Sequence, residues 1–523
     1  MSGHVFVVGA DLVRLSCDDV LVPTDRSLRV TASWLPLIPG DQVAARDDDG
    51  ARLTGGWDGA ERVRELPGCG SRRVWLIDTV DEGGDADDAA DEAAGRGLAW
   101  LLEGAREALA AVARREVAQP AHGRARRLVG LPALGTGWGG AAGRRGELLR
   151  QLLPVLRAAA EEHGFDVALV LRRPSDLAAA QRVRRAEGGG WDLPDDLHEV
   201  AGQLGARARA GGRAVFLGAG VSAAAGRPTW LALLDDLADE AGLDDDLRAG
   251  LAQLPPQDSA ALLARELGRE ALAGYVQDRF GPGPYALAHA LVAGLPVREF
   301  VTTNYDPLVE LAAADVGRPL RVLPFDDPDD AAPRWILKLH GDAAHPESVV
   351  LTREQYLEFG AGRTALAGVL QSLLLTRHVL FVGTSMLDDD LIRIAHQVRS
   401  VLTAPQPEQA GPRRSGTVLA LQDDPVRARL WEQDVDTVAM AGRADPAPEA
   451  ARRLEVLLDL LGCVSAEPTG YLLDPAYRGL LDEEETALSG ALGEVAAVLD
   501  GGSAHSWAGH EVRDLLRRLG AAG

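Results

Sequence analysis

Cysteine is nearly absent from this chain of 523 residues. Only Cys17, Cys69 and Cys463 occur, and none of them belongs to a C-x-x-C pair. The sequence therefore excludes both a disulfide-stapled scaffold and a cysteine-ligated zinc site. Unpaired cysteines suit a reducing compartment, so we expect a cytoplasmic protein.

Positive charge and long apolar runs are also in short supply. The chain carries 54 Lys+Arg residues against 78 Asp+Glu residues, which gives a formal net charge of −24. Such a chain repels nucleic acid and anionic membranes, so we expect no direct nucleic-acid partner. No run reaches the roughly 18 apolar residues of a membrane span. The N-terminus also lacks the basic start and apolar stretch of a signal peptide, so we expect no membrane partner.

Length and apolar content predict a multidomain α/β protein. With 523 residues and 46% apolar side chains, the chain is long enough for roughly two to four domains with buried cores. The glycine-rich stretch at 187–193 is the best candidate linker, because glycine lowers chain stiffness. We predict an α/β domain at 1–190, a second α/β domain at 191–465 and a helical extension at 466–523.

Apolar spacing also predicts individual elements. In the first domain we predict a loop or the approach to a helix at 83–93, a helix at 100–112 and a strand at 166–171. We predict a mostly helical insertion beside the second sheet at 244–293, and helices at 481–499 and 512–519 in the extension.

Small or polar residues follow four apolar runs that we predict to be buried strands. The four loops begin with Gly218-Ala219-Gly220, Thr303-Asn304-Tyr305-Asp306, His340-Gly341 and Gly383-Thr384-Ser385. Ligands of doubly wound α/β sheets bind at the carboxyl ends of the strands, so we expect these loops to meet in one crevice. A Gly-x-Gly turn before a helix can hold a diphosphate, because backbone N–H groups face the anion. Taken alone, the same turn also serves merely to pack a helix, and that alternative stays open.

In chain order the motifs read GAGVSAAAGRPTW, TTNYD, LHG and GTS, and together they resemble the sirtuin (silent-information-regulator) family. The resemblance covers about residues 214–440 and implies a Rossmann-like parallel sheet that binds NAD. It implies that His340 is the catalytic histidine and that Asn304 orients the ribose and a water. The NAD-binding positions that it implies are Gly218, Ala219, Gly220 and Ser222 at the diphosphate, Trp230, Thr303 and Asp306 near the nicotinamide, and Gly383, Thr384 and Ser385 at the adenosine ribose.

These positions also have purely structural interpretations. The alternatives are Asn304 as a turn residue, Asp306 as a helix cap, His340 as a turn histidine, Trp230 as a core aromatic, and Ser385 and Asp388 as caps of a helix near Leu391. Lys338 alternates with apolar neighbours on its predicted strand, and we predict that it is exposed.

The chain departs from the protein deacylases of the sirtuin family in three places. No zinc cysteines follow Gly341, Thr303 replaces the usual glutamine, and Arg227 replaces an aliphatic residue. TTNYD and the tail Ser385-Met-Leu-Asp-Asp-Asp390 resemble the bacterial antiphage-defence branch instead. That branch hydrolyses NAD to nicotinamide and ADP-ribose.

The first 190 residues carry a second, weaker resemblance. The stretches CDDVLVPTD and LPALGTGWGG resemble the macro domain, a module that binds ADP-ribose. The resemblance implies a nucleotide site at Asp18, Gly135, Thr136, Gly137, Gly139 and Gly140, although Val22-Pro23-Thr24-Asp25 stands where the family has an asparagine-rich segment. A plain glycine turn into a helix is the alternative.

The sequence therefore predicts a zinc-independent NAD⁺ glycohydrolase of abortive-infection defence, with NAD as its substrate. We expect the N-terminal unit to sense an ADP-ribose-type signalling nucleotide, and we expect a homo-oligomer. Two other functions stay open. One is a sirtuin-type protein ADP-ribosyltransferase or deacylase, and the other is a non-catalytic NAD or ADP-ribose sensor.

Overall fold

The chain divides into two units. The computed structural model describes residues 2–70, 72–81, 90–116, 119–137, 140–327, 329, 332–362, 364–402, 414–466, 469–500 and 506–521. Contacts group Met1–Ala121, Ala125–His198 and Asp459–Gly523 into a first unit, and His122–Arg124 and Glu199–Leu458 into a second unit. Both units are α/β, which confirms the predicted fold class.

A mixed sheet forms the centre of the first unit. The strands of this unit are β1 (Val5–Gly9), β2 (Asp19–Thr24), β3 (Arg29–Thr31), β4 (Val43–Asp47), β5 (Gly50–Leu53), β6 (Val63–Leu66), β7 (Arg73–Asp78), β8 (Leu128–Pro132) and β9 (Asp166–Leu171). The main sheet has the order β1-β9-β8-β2-β7-β6, and every pair is parallel except β6 with β7. Strands β3, β5 and β4 form a small antiparallel sheet.

Three helices cover this sheet: α1 (Ala90–Ala113), α2 (Arg145–His163) and α3 (Pro174–Ala186). The helical spacing predicted for residues 100–112 is correct, because Leu101, Ala105 and Leu109 all face the core. Each fully buried leucine of this kind contributes about 1.5–3 kcal/mol. The acidic stretch 83–93, predicted to be a loop or the approach to a helix, lies largely outside the described residues.

The second unit is built on a fully parallel sheet. Its strands are β10 (Arg213–Leu217), β11 (Glu299–Thr302), β12 (Arg321–Leu323), β13 (Trp335–Lys338), β14 (His378–Val382), β15 (Gly416–Gln422) and β16 (Val435–Ala441). They lie in the order β12-β13-β11-β10-β14-β15-β16. The chain runs to one side of β10 first and returns to the other side at β14, so a topological switch point separates these two neighbours.

Helices pack around this sheet and also form a small module with its own core. They are α4 (Asp195–Arg209), α5 (Ala219–Ala223), α6 (Trp230–Glu240), α7 (Asp245–Leu251), α8 (Pro256–Leu267), α9 (Arg269–Phe280), α10 (Leu287–Gly294), α11 (Leu308–Asp315), α12 (Arg353–Gly362), α13 (Thr364–Thr376), α14 (Asp389–Leu402), α15 (Pro425–Trp431) and α16 (Ala447–Ser465). Helices α6, α8 and α9 share a core with Tyr305 and Leu351. Helices α7 to α10, at residues 245–294, match the helical insertion that the sequence predicts at 244–293.

The C-terminal segment belongs to the first unit by its contacts. It contains α17 (Glu483–Asp500) and α18 (Trp507–Arg518), close to where the apolar spacing predicts helices. Tyr471 and Tyr477 are buried in the core with α1, α2 and α3. The contacts therefore change units near residues 198 and 458, where the sequence placed boundaries at 190 and 465. None of the helices in the described ranges combines the length and the apolarity that crossing a bilayer requires.

A buried carboxylate on α16, Asp459, joins the C-terminal part of the first unit, residues 459–523, to the rest of that unit. Asp459 accepts hydrogen bonds from Arg184 Nη1 at 2.9 Å and Trp191 Nε1 at 3.0 Å, and His4 Nε2 lies at 2.8 Å. Burial alone would raise the pKa of Asp459, but Arg184 and His4 hold it well below its usual range. The stabilisation is therefore complete at neutral pH and is lost as the pH falls from about 4 toward the lowered pKa.

We predict that Asp459→Asn lowers the free energy of unfolding of the first unit by about 3–5 kcal/mol, because it leaves the Arg184 guanidinium buried without its counter-ion. Hydrogen exchange in β1 and α3, measured by mass spectrometry across a denaturant series, reports this unit directly. Glu162→Gln, which removes an exposed carboxylate of α2, is the charge-matched control and should behave like the unchanged protein. Equal protection of β1 in both variants would contradict the assigned role.

Candidate functional site

The carboxyl ends of β10 and β14 meet at the switch point of the parallel sheet. The N–H of Gly218 donates to the carbonyl of Val382 at 3.0 Å, and the N–H of Gly220 donates to the carbonyl of Gly383 at 2.9 Å. Helix α5 begins at Ala219, directly after the turn. The sequence-predicted glycine turn and the Gly383-Thr384-Ser385 loop are therefore in direct contact.

Glycine is required on both sides of this contact. A Cβ at Gly218 would lie 2.6 Å from the carbonyl oxygen of Gly383, and one at Gly220 would lie 2.8 Å from the same atom. Gly383 has a φ of +69°, and a Cβ there would lie 2.6 Å from the backbone nitrogen of Val221. The packing role of these glycines is thus visible in the geometry.

Asn304 connects the loop after β11 to the glycine turn. Its Nδ2 donates to the carbonyl of Gly218 and to Ser222 Oγ, both at 3.1 Å. Its backbone N–H donates to Thr302 Oγ1 at 3.0 Å. Its Oδ1 is buried and has no hydrogen-bond partner among the described residues. A buried acceptor of this kind calls for a water or a ligand group, because leaving it unsatisfied is costly.

Behind Asn304, Ser222 contacts a buried histidine that the sequence analysis missed. His289 Nδ1 accepts the N–H of Ala286 at 3.2 Å, and its Nε2 lies 3.2 Å from Ser222 Oγ. Burial lowers the pKa of His289 to about 4. The ring is therefore neutral at pH 7, and with Nδ1 accepting, Nε2 carries the proton and donates it to Ser222. Ser222 Oγ thus accepts from both His289 and Asn304.

Asp306, which follows β11, and Lys338, the last residue of β13, are two buried charged residues. Asp306 is buried and its Oδ1 accepts the N–H of Leu308, the first residue of α11, at 3.2 Å, while Pro307 occupies the N-cap position. Lys338 is fully buried, which makes the prediction of an exposed side chain wrong. The prediction relied on the alternation of polar and apolar residues along β13. The face on which Lys338 lies is in fact covered by Glu310 of α11 and by Asp342 of the loop after β13.

His340 lies at the carboxyl end of β13 between two carboxylates. Its Nε2 is 3.6 Å from Asp388 Oδ2 and 3.6 Å from Asp390 Oδ2. Burial would raise the pKa of Asp390, but His340 and Arg393 hold it below its usual range. Within the described ranges, the side chains of His340, Asp388 and Asp390 form a group whose potential ligand atoms lie within 4.8 Å of one another.

Aromatic rings line one side of this histidine. The ring of Tyr356 on α12 meets His340 edge-on with centroids 5.2 Å apart, and Trp230 meets Tyr356 at 6.5 Å. Trp230 is half-buried at the start of α6 and packs against the helical module. Tyr356 had no signal in the sequence, because it follows no strand end and belongs to none of the motifs.

The loop after β14 opens onto a cavity of about 430 Å³. Its lining includes Gly220, Gly383, Ser385, Leu421, Asp424 and Arg427. Ser385 is exposed and its carbonyl accepts from Arg427 at 3.1 Å. Asp388 Oδ1 accepts from Leu391 N at 3.0 Å, so the capping interpretation is correct for Asp388. Thr303 is half-buried beside Asn304.

The structure does not bring the predicted residues of the N-terminal nucleotide site together. Asp18 precedes β2, and its two oxygens accept from Ala121 N and Leu128 N, both at 2.7 Å. Gly135, Thr136, Gly137 and Gly140 follow β8, whereas Gly139 lies outside the described residues. Asp18 precedes its strand and the glycines follow theirs. Since β2 and β8 are parallel, the two groups lie at opposite ends of the strands.

Other acidic residues of the first unit lie at the same edge as the glycines. Asp11, Asp25 and Asp78 lie at or just beyond the carboxyl ends of β1, β2 and β7. The sequence signal that could have found them is their position at a strand end, which Asp18 does not share.

The sequence matches the family described as SIR2-like domain over residues 298–436. It is 33% identical over 202 residues to the NAD(+) hydrolase ThsA of Enterococcus faecium, covering 37% of this chain and 41% of that protein. It is 31% identical over 194 residues to ThsA of Cytobacillus dafuensis, covering 36% and 38%.

A third relative is Defense-associated sirtuin 2 of Bacillus subtilis, which is 24% identical over 224 residues, or 40% of this chain and 21% of that protein. The chain thus spans about two fifths of the length of the NAD(+) hydrolases it matches. The predicted sirtuin resemblance is confirmed, and the macro resemblance of the first unit stays a prediction. The match to the SIR2-like domain falls within the second unit, at residues 298–436.

Proposed function

We propose that the second unit is an NAD⁺ glycohydrolase, which cleaves NAD to nicotinamide and ADP-ribose as an effector of antiphage defence. The observation that carries the proposal is the meeting of loops far apart in sequence. Asn304 is hydrogen-bonded to the glycine turn at Gly218, and that turn contacts Gly383. His340 lies beside the tail of the same Gly383 loop. The names of the ThsA relatives support NAD as the substrate.

Hydrolysis of NAD requires few catalytic groups from the protein. The bond from C1′ of the ribose to the nicotinamide nitrogen breaks, and its electron pair neutralises the ring cation, so no strong acid is needed. Water then adds to C1′ and releases a proton. Positioning and electrostatics supply the rate enhancement. In this proposal the free Oδ1 of Asn304 accepts from the ribose or the attacking water, and His340 acts as the base at the ribose hydroxyls.

The remaining predicted residues bind the rest of NAD. The turn at Gly218, Ala219, Gly220 and Ser222 meets the diphosphate, Trp230, Thr303 and Asp306 meet the nicotinamide side, and Gly383, Thr384 and Ser385 meet the adenosine ribose. The cavity of about 430 Å³ beside Gly220 and Ser385 supports the last of these assignments.

Three finer proposals accompany this function. The first unit senses an ADP-ribose-type nucleotide at the edge that carries Gly135. The chain self-associates through α17, where Leu488, Ala491, Val495 and Val498 recur at the heptad spacing of paired helices and are exposed. The protein works in the reducing cytoplasm, in keeping with its three free thiols.

We predict that His340→Ala and Asn304→Ala each lower the rate of nicotinamide release by at least about 100-fold, because each removes a positioned group at the reacting centre. The measurement is nicotinamide production from NAD by the purified chain, with and without ADP-ribose-type nucleotides as activators. His396→Ala, which alters an exposed histidine of α14, is the matched control. Nicotinamide release by His340→Ala at the rate of the unchanged chain would contradict the site assignment. Label transferred from NAD to protein, seen by intact mass, would favour the ADP-ribosyltransferase instead.

We also predict that the second unit loses stability on mild acidification. Between pH 6.5 and about 4 the unfolded chain binds a proton at His289 that the folded unit does not accept. The free energy of unfolding therefore falls with falling pH, by about 3 kcal/mol in total for this group. Denaturant unfolding at a series of pH values measures the slope.

His289→Gln keeps a donor and an acceptor but cannot charge, so its slope should be smaller. Burial and Arg207 also lower the pKa of His378 to about 4, and His378→Gln supplies the comparison for a less buried group. A slope that His289→Gln leaves unchanged would show that His289 is not the titrating group.

A further inference from the structure

Lys338 is the only lysine in the chain, and it is one of its most deeply buried side chains. Every other strongly basic side chain is an arginine. Its Nζ donates to the carbonyl of Asp306 at 2.6 Å and lies 2.8 Å from Glu310 Oε1 and 3.1 Å from Asp342 Oδ2. A compact ammonium has three donors for these three acceptors, whereas the planar fork of arginine suits a different geometry.

The acceptors come from the loops that carry the proposed chemistry. Asp306 lies two residues after Asn304, and Asp342 lies two residues after His340. Glu310 lies on α11, whose first residue, Leu308, donates its N–H to Asp306 Oδ1. The ammonium therefore joins both loops to the helix that follows one of them.

Backbone contacts already hold the two loops side by side. The N–H of Ala343 donates to the carbonyl of Tyr305, and the N–H of Leu339 donates to the carbonyl of Thr302, both at 2.9 Å. Loss of the ammonium would thus leave the loops adjacent. What it would remove is the bond that fixes the Asp306 carbonyl, and with it the orientation of the peptide between Asp306 and Pro307.

The charge balance explains why the lysine stays ionised. Burial alone would lower the pKa of Lys338, but Glu310 and Asp342 raise it above its ordinary value. Conversely, burial raises the pKa of Glu310 in spite of Lys338. Removing only the lysine would leave buried carboxylates without a counter-ion, which is strongly destabilising, whereas replacing both partners with apolar groups is often neutral.

We propose that Lys338 is a positioning residue, whose ammonium sets the Asn304–Asp306 loop and the His340–Asp342 loop for catalysis without touching NAD. The inference rests on the proposed NAD⁺ hydrolysis at this site. It assigns a role in the reaction to a side chain outside all four loop motifs.

The test compares three variants of the full chain. Lys338→Met should lower kcat for nicotinamide release by about 100-fold, as expected when reacting groups shift by about 1 Å. Arg334→Met is the control: Arg334 is a buried cation directly before β13, at the opposite end of the strand, and it donates to the carbonyls of Val297, Arg318 and Ala293. It should lose stability but keep kcat.

The double variant Lys338→Met, Glu310→Leu separates positioning from stability. It replaces the buried ion pair with apolar groups, so its thermal midpoint should recover toward that of the unchanged chain. Its kcat should stay low, because the Asp306 carbonyl still lacks its donor. Recovery of kcat together with the thermal midpoint would reduce Lys338 to a structural residue and overturn the proposal.

A spectroscopic measurement makes the test independent of turnover. Asn304 is the only asparagine in the chain, so ¹⁵N-asparagine labelling yields one side-chain amide group. Its NMR signals should shift in Lys338→Met and in the double variant and stay in place in Arg334→Met. Unmoved signals in both Lys338 variants would overturn the proposal. Shifted signals with no nicotinamide release from the unchanged chain would instead contradict the proposed function and leave the positioning of Asn304 supported.

Discussion

The second unit depends on one close approach between backbones. At the middle of its sheet, the turn after β10 and the loop after β14 come together so tightly that the carbonyl of Gly383 occupies the space of two missing Cβ atoms, at Gly218 and Gly220. That approach lies at the switch point, where the chain leaves β10 on one side and returns on the other. Once the two loops touch, the loops after β11 and β13 follow from parallel pairing alone.

Much of this arrangement could be predicted from the sequence, since strand ends are easy to recognise. Apolar runs that end in glycine, asparagine or histidine gave the four loops, and parallel pairing placed them at one edge. The strand at Asp166–Leu171 was predicted to the residue, because a fully buried parallel strand reads as a continuous apolar run. The strands β3 to β5 were missed for the opposite reason. β4, for example, is largely exposed, so it lacks an apolar run.

The errors share a physical cause, which is that sequence spacing does not say which groups cover a face. Lys338 seemed to belong on a solvated face until Glu310 and Asp342 were seen to cover it. Asp18 was grouped with the Gly135 loop although one precedes a strand and the other follows one, so parallel pairing separates them. Tyr356 and His289 come from elements with no motif, and only the fold brings them to the site.

Two buried ionic clusters, one around Asp459 in the first unit and one around Lys338 in the second, show what such groups contribute. Buried ion pairs add little net stability, since desolvation offsets most of the attraction. An arrangement that leaves one buried charge without its partner is nevertheless strongly destabilising. Around Asp459 that penalty fixes where a distant segment joins the first unit. Around Lys338 the ammonium is bonded to the carbonyl of Asp306, in the loop that also carries Asn304. Lys338 is the single lysine of a chain whose other strongly basic side chains are arginines. It lies where three acceptors meet, and that geometry favours lysine over arginine.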